Sequence, residues 1–144
     1  MILLDDAALD KELLRMTDAY TDELFPVTPV EARRAVFPLS RLVCDVERFP
    51  LDKDEPMVLR GMGVFYTRTS MGDVLRVHPD ATDRQILMDR WHWPHHLNLE
   101  RLVNDVVERC GVCLIVDCHS FPSVAFGRAA VAITSCSSGR TMLC

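Results

Sequence analysis

Val112-Cys113-Leu114-Ile115-Val116-Asp117-Cys118-His119-Ser120 is the stretch on which the fold reading turns. Its first five residues are apolar or cysteine, rich in β-branched types, and follow Gly111, a pattern that predicts a strand buried on both faces. Upstream, Leu99, Leu102, Val103, Val106 and Cys110 form a helical stripe that Gly111 is placed to end. Helix, glycine and buried strand make half of a crossover unit, which favours a parallel or mixed sheet. Ligands of open α/β sheets gather beyond the carboxyl ends of the strands, so Asp117, His119 and Ser120 stand where chemistry is expected. A buried aspartate two residues before a histidine suits a metal ligand whose ring is held by a carboxylate. The same residues also suit a plain strand end, with Asp117 capping the turn and His119 bonded to a backbone carbonyl.

A chain of 144 residues fits one domain with a sizeable core. A net charge of −5, with 16 basic residues scattered among 21 acids, argues against nucleic acid as a partner. The sequence holds no apolar run near the ~20 residues a membrane span needs, and no leader with a cleavage site, so a cytoplasmic protein without membrane attachment is expected. Six cysteines without a leader read as reduced thiols. The Cys110-x-x-Cys113 pair lacks a second ligand pair at zinc-finger spacing and reads as packing.

Toward the amino end, Asp5 or Asp6 caps a first helix, and Leu9, Leu13, Met16, Tyr20 and Leu24 predict one apolar face running to Phe25 and Pro26. Asp18 and Asp22 lie four apart on another stripe of it, a spacing that surface carboxylates share. Thr28-Pro29-Val30-Glu31 has capping-box form and predicts a short helix to about Val36. Arg41 to Arg48 alternates like a half-buried strand. Its terminal arginines, Arg41 and Arg48, are suited to hold an acidic ligand, or equally to bond Asp45 and Glu47. Residues 51 to 62 read as an exposed loop, 63 to 67 as a strand, and 74 to 77 as its hairpin partner across Ser70-Met71-Gly72-Asp73. Thr82-Asp83-Arg84-Gln85 opens a helical segment that Pro94 interrupts, with Trp91, His92, Trp93, His95 and His96 at the kink. Those rings suit the lining of a cleft or simple aromatic packing, and His92-x-x-His95 has one-turn metal spacing without a third ligand. After Asp117 no acid appears, and residues 124–144 read as a divergent tail beyond a domain of residues 1–123.

Taken together, Thr17-Asp18-Ala19-Tyr20-Thr21-Asp22-Glu23-Leu24-Phe25, Ser40 through Pro50, Arg60-Gly61-Met62-Gly63-Val64-Phe65-Tyr66-Thr67, Pro94-His95-His96 and Asp117 through Ser123 resemble the N-formylglutamate amidohydrolase family, in the family's order over residues 5 to 123. The resemblance implies an α/β fold like that of zinc carboxypeptidases and the phosphorylase/hydrolase group, a mixed sheet flanked by helices. It also implies metal-assisted hydrolysis of N-formyl-L-glutamate or a related N-acyl amino acid to glutamate and formate, as in late histidine breakdown. Carried over by residue, Asp18 and His119 are zinc ligands and Asp117 the carboxylate behind His119. Arg48, with Arg41, binds the carboxylates of a small acidic substrate, and His96 matches a family histidine without an assigned role. Glu47 stands where the family commonly has asparagine. The resemblance further leads one to expect an incomplete sheet, short of an upstream metal histidine and a downstream general-base glutamate. A chain truncated in that way could be a non-catalytic acidic-ligand-binding domain or an inactive remnant, and exposed sheet edges would favour self-association.

Overall fold

In the computed structural model of the chain, residues 2–26 and 32–120 are described. The chain divides into two compact units, one of Met1–Thr17 with Val36–Asn98, the other of Asp18–Ala35 with Leu99–Cys144.

In the first unit, helix α1 (Asp6–Met16) starts where Asp5 accepts the backbone N–H of Ala8, one of the two caps expected. It ends at Met16 instead of running on to Phe25. The Thr17 hydroxyl turns back to the Leu13 carbonyl at 2.7 Å, and the Thr17 backbone is extended. Leu9, Leu13 and Met16 therefore pack on Leu42, Met62, Tyr66 and Leu75, while Tyr20 and Leu24 of the same sequence stripe are exposed. Glu12, buried on α1, accepts both the backbone N–H and the hydroxyl of Ser70 and so ties the helix to the turn at 69–73.

A mixed α/β sheet, the architecture expected from the sequence, is not what forms: among the described residues there is no strand, and pairing is limited to two isolated antiparallel bridges, Ile2 with Arg76 and Arg68 with Val74. The predicted strand at 41–48 instead runs as turns, because Cys44, Asp45 and Val46 are buried in succession and not alternately. Asp45 faces inward to meet Tyr66, and its other oxygen takes the N–H of Glu47. Residues 63–67 form no strand, and the hairpin predicted with 74–77 reduces to the single bridge around the turn. Residues 112–116 form no strand either. Val112, Leu114, Ile115 and Val116 are exposed by half or more, and no ladder among the described residues pairs them. A strand is stabilised by its neighbours, and an apolar run without them has no backbone partner to set its register.

The charged segment at 51–62 is not wholly exposed. Glu55 is buried, caps the 3₁₀ turn Pro56–Arg60 through the Met57 N–H, and also takes the Phe49 N–H. Gly61 closes that turn with φ of 73°, and a Cβ there would lie 2.8 Å from the Arg68 side chain. Helix α3 (Ala81–Leu87) is capped by Asp80, two residues ahead of the expected Thr82. Pro94 does not break the helix. A π segment, Met88–His92, widens the coil so that the Trp93 N–H reaches the Met88 carbonyl, and the proline, which has no N–H to give, falls in the first turn of helix α4 (Trp93–Cys110). Met88 joins a second core cluster with Cys44, Val46, Val64 and Phe65, on which Phe37, Leu87 and Trp91 pack.

In the second unit, Thr21–Leu24 forms the one-turn helix α2, and the remainder of α4 ends as expected at Gly111, whose φ is 76°. The helix predicted at 28–36 falls partly on residues outside those described, and 32–36 is not helical. The tail at 124–144 lies outside the described residues. No helix among the described residues is long and apolar enough to cross a membrane.

Replacing Glu12 by alanine strips two donors of Ser70 of their acceptor and is expected to cost about 1–3 kcal/mol in urea denaturation. Leu14→Ala, on the exposed face of the same helix, is expected to change stability by less than ~0.5 kcal/mol.

Candidate functional site

Of the residues picked out from the sequence, Asp18, Asp117 and His119 come together within the second unit. Asp18 stands in the turn ahead of α2, where its carbonyl accepts the Thr21 hydroxyl at 3.0 Å, and Tyr20 takes a left-handed backbone with φ of 65°. The His119 ring lies between two carboxylates: Nε2 is 2.9 Å from Asp117 Oδ2, and Nδ1 is 3.6 Å from Asp18 Oδ2. Asp117 is largely exposed, not buried as the strand reading required, while Asp18 and His119 are half-buried.

This arrangement has a definite protonation logic. If neutral His119 donates Nε2–H to Asp117, its Nδ1 lone pair faces the Asp18 carboxylate, and two electron-rich atoms confront each other. A cation between Nδ1 and Asp18, or a second proton on the ring, relieves that conflict. The donor set therefore fits two ligands of a divalent metal, with Asp117 fixing the ring from behind. Aspartate and neutral imidazole are donors that zinc accepts.

The other predicted residues lie in the first unit. A cleft of about 240 Å³ is lined by residues 46–50 together with His92, Trp93 and His96. Arg48 borders it, and both predicted arginines have carboxylate partners: Arg41 is 3.6 Å from Glu47, and Arg48 Nε is 3.3 Å from Asp45 Oδ2. The Asp45 and Glu47 pairing that the sequence left open is thus present. Sequence reading missed the rest of the Arg48 surroundings. The buried Tyr66 hydroxyl donates to Asp45 at 2.6 Å and accepts from Arg48 Nη2 at 3.5 Å, and buried Glu55 lies 3.8 Å from Nη1. Burial opposes the charge of Arg48, but Tyr66, Asp45 and Glu55 outweigh it and its pKa is raised. Burial, with the neighbouring Asp45, pushes the Tyr66 phenol well above its ordinary value. The one local signal of this web was the Asp45-x-x-Arg48 spacing.

The ring cluster divides its work. His96 Nε2 is 2.9 Å from the Val46 carbonyl and His92 Nε2 is 3.4 Å from the Arg48 carbonyl. A carbonyl only accepts, so both rings donate through Nε2–H. The rings of His92 and His96 are 4.5 Å apart, and His95 meets Phe37 edge-on at 5.5 Å. Among the described residues, no three metal donors converge on this cluster. Cys110 is exposed and Cys113 partly so, both as free thiols, whereas burial raises the thiol pKa of core Cys44 to about 12.

Among families of known proteins, a family model described as N-formylglutamate amidohydrolase matches residues 3–140. Comparison with curated proteins and with solved structures returns no match.

Burial lowers the pKa of His92 below the ordinary 6.5, helped by His96, His95 and Arg84. The unfolded chain therefore binds more protons than the native one just below pH 6.5, and stability rises with pH there. The contribution is complete above pH 6.5 and is lost as pH falls through the folded value. Thermal melts are expected to drop between pH 7 and 5, with a smaller drop in His92→Gln, and NMR titration of the His92 ring should give its midpoint below 6.5.

Proposed function

The chain belongs to the N-formylglutamate amidohydrolase family, and from that premise we propose that it is a metal-dependent hydrolase that cleaves the amide of N-formyl-L-glutamate, or of a closely related N-acyl amino acid, to the free amino acid and formate. The observation that carries the metal part of this reading is His119 set between the carboxylates of Asp18 and Asp117. Asp18 and His119 are the residues that would hold zinc. When bound, zinc lowers the pKa of a water toward ~7 and polarises the acyl carbonyl.

The chain's own residues have separable tasks. Asp117 accepts a hydrogen bond from Nε2–H of His119, which favours the tautomer whose Nδ1 lone pair can bind a cation. Asp18 supplies a negative oxygen opposite Nδ1, so that a divalent cation is favoured over an anion at that point. Arg48 and Arg41 are the groups proposed for the carboxylates of the acidic substrate, with Arg48 offering a planar fork at the cleft. His96, fixed through Nε2 to the Val46 carbonyl, lines the same cleft.

Elemental analysis of the purified chain beside an Asp18→Ala/His119→Ala double variant tests the metal assignment. Near-stoichiometric zinc is expected in the first and its loss in the second. Asp117→Asn is expected to weaken metal affinity by about 10- to 100-fold while leaving the ligands in place. Formate release from N-formyl-L-glutamate, abolished by a chelator, supports the reaction. A zinc-loaded chain that releases nothing from any N-formyl or N-acetyl amino acid overturns it.

A further inference from the structure

Arg48 is held by charge on two sides but by hydrogen bonding on one. Its Nε lies 3.3 Å from Asp45 Oδ2 without an aligned hydrogen bond, and its Nη1 lies 3.8 Å from Glu55 Oε1, beyond hydrogen-bond range. Among the described residues, the Tyr66 hydroxyl is the acceptor that Arg48 does bond, through Nη2. The Tyr66 hydroxyl in turn donates a hydrogen bond to Asp45 at 2.6 Å, so arginine, phenol and carboxylate form a directed chain in which each bond polarises the next. Tyr66 is fully buried, Asp45 1% exposed and Glu55 5% exposed, so this frame cannot relax into solvent.

Two consequences follow for the cleft. A guanidinium has five N–H groups. The Tyr66 bond engages one of them, on Nη2, while Asp45 and Glu55 face Nε and Nη1 without accepting a hydrogen bond, so each terminal nitrogen keeps a donor for the two-pronged binding of a carboxylate. The charge, by contrast, is already more than met, since one guanidinium faces the two carboxylates of Asp45 and Glu55. Glu55 is held in place by duties of its own, accepting the backbone N–H groups of Phe49 and Met57.

We propose that Tyr66 is a positioning residue that aims Arg48 into the cleft, and that Glu55 sets its strength, so that Arg48 meets a ligand oxyanion as an oriented pair of donors whose positive charge is largely spent. The ligand half of this proposal rests on the substrate reading above. It deepens that reading by assigning roles to two buried residues that touch no ligand. Orientation lowers the entropy cost of binding, because an arginine already fixed by its neighbours has little rotamer freedom left to lose. The excess negative charge works the other way, and keeps the affinity for an anion below what a lone arginine in a partly desolvated cleft would give.

The test uses the full chain carrying Trp91→Phe, so that Trp93, which lines the cleft, reports ligand binding by its fluorescence. The probe is N-formyl-L-glutamate, and the guanidinium resonances of Arg48, assigned by their loss in Arg48→Lys, are followed by NMR. Tyr66→Phe keeps the ring that fills the core and removes one hydroxyl. It is expected to retain a cooperative melt, to speed rotation of the Arg48 guanidinium severalfold, and to weaken the probe about five- to tenfold, the worth of one hydrogen bond. Glu55→Gln is expected to tighten the probe severalfold, an effect opposite in sign to structural damage. Unchanged guanidinium motion in Tyr66→Phe, or weaker binding in Glu55→Gln, overturns the proposal. If the parent chain binds no N-formyl amino acid, the substrate reading fails, and the guanidinium motion alone decides whether Tyr66 positions Arg48.

Discussion

A guanidinium taken partly out of water must be surrounded by acceptors, and the first unit is built around meeting that demand at Arg48. Desolvating an unpaired charge costs several kcal/mol, about as much as the whole net stability of a small domain. Three separate segments are therefore committed to it: Asp45 from the turns at 41–48, Tyr66 from the stretch after Gly61, and Glu55 from the cap of the 3₁₀ turn. Tyr66 also donates to Asp45, while Asp45 and Glu55 accept the backbone N–H groups of residues 47, 49 and 57. Leu42, Met62 and Leu75 then close on one side of Tyr66, and Cys44, Val64 and Phe65 form the neighbouring cluster.

The helical segment after Asp80 serves the same region. Proline at position 94 withholds a backbone donor, and the coil answers with a π segment rather than a break. That widened turn buries Met88 and His92 together, and places His92 and His96 with their Nε2 atoms on the carbonyls of Arg48 and Val46. The cleft wall is thus made of backbone that the Arg48 web fixes and of rings that the π segment aims. In the second unit the geometry is simpler, an imidazole between two carboxylates on short segments near α2 and beyond the end of α4. Its chemistry follows from the proton count of one ring.

How much of this could be read in advance depended on the range of the interaction. Asp5 as a cap, Gly111 as a helix end, and the Asp-x-His spacing are local features, and the structure shows each in place. The alternation at 41–48 was also local, yet it misled, because burial of Asp45 is decided by Tyr66, 21 residues further on. The apolar run at 112–116 misled for a related reason: its four β-branched or aliphatic residues favour extended backbone, but a sheet exists only when other segments pair with it. Trp91 through His96 showed as a ring cluster, whereas its division into core, cleft and edge contacts needed the π segment, which no spacing announces.

The sequence by itself determined the family, through ordered blocks from Thr17 to Ser123 whose combination is specific, and it marked Asp18, Asp117, His119, Arg41, Arg48 and His96 as the residues to watch. It determined those matters because motif and spacing are properties of the covalent chain. Tertiary structure alone decided that Asp18 and Asp117 take opposite nitrogens of one imidazole, that Arg48 is countered by Asp45 and Glu55 and bonded to Tyr66, and that residues 112–116 remain outside any sheet among the described residues. The physical reason is that hydrogen bonds, ion pairs and strand ladders join residues far apart in the chain, and their energies depend on burial and geometry that only the folded state supplies.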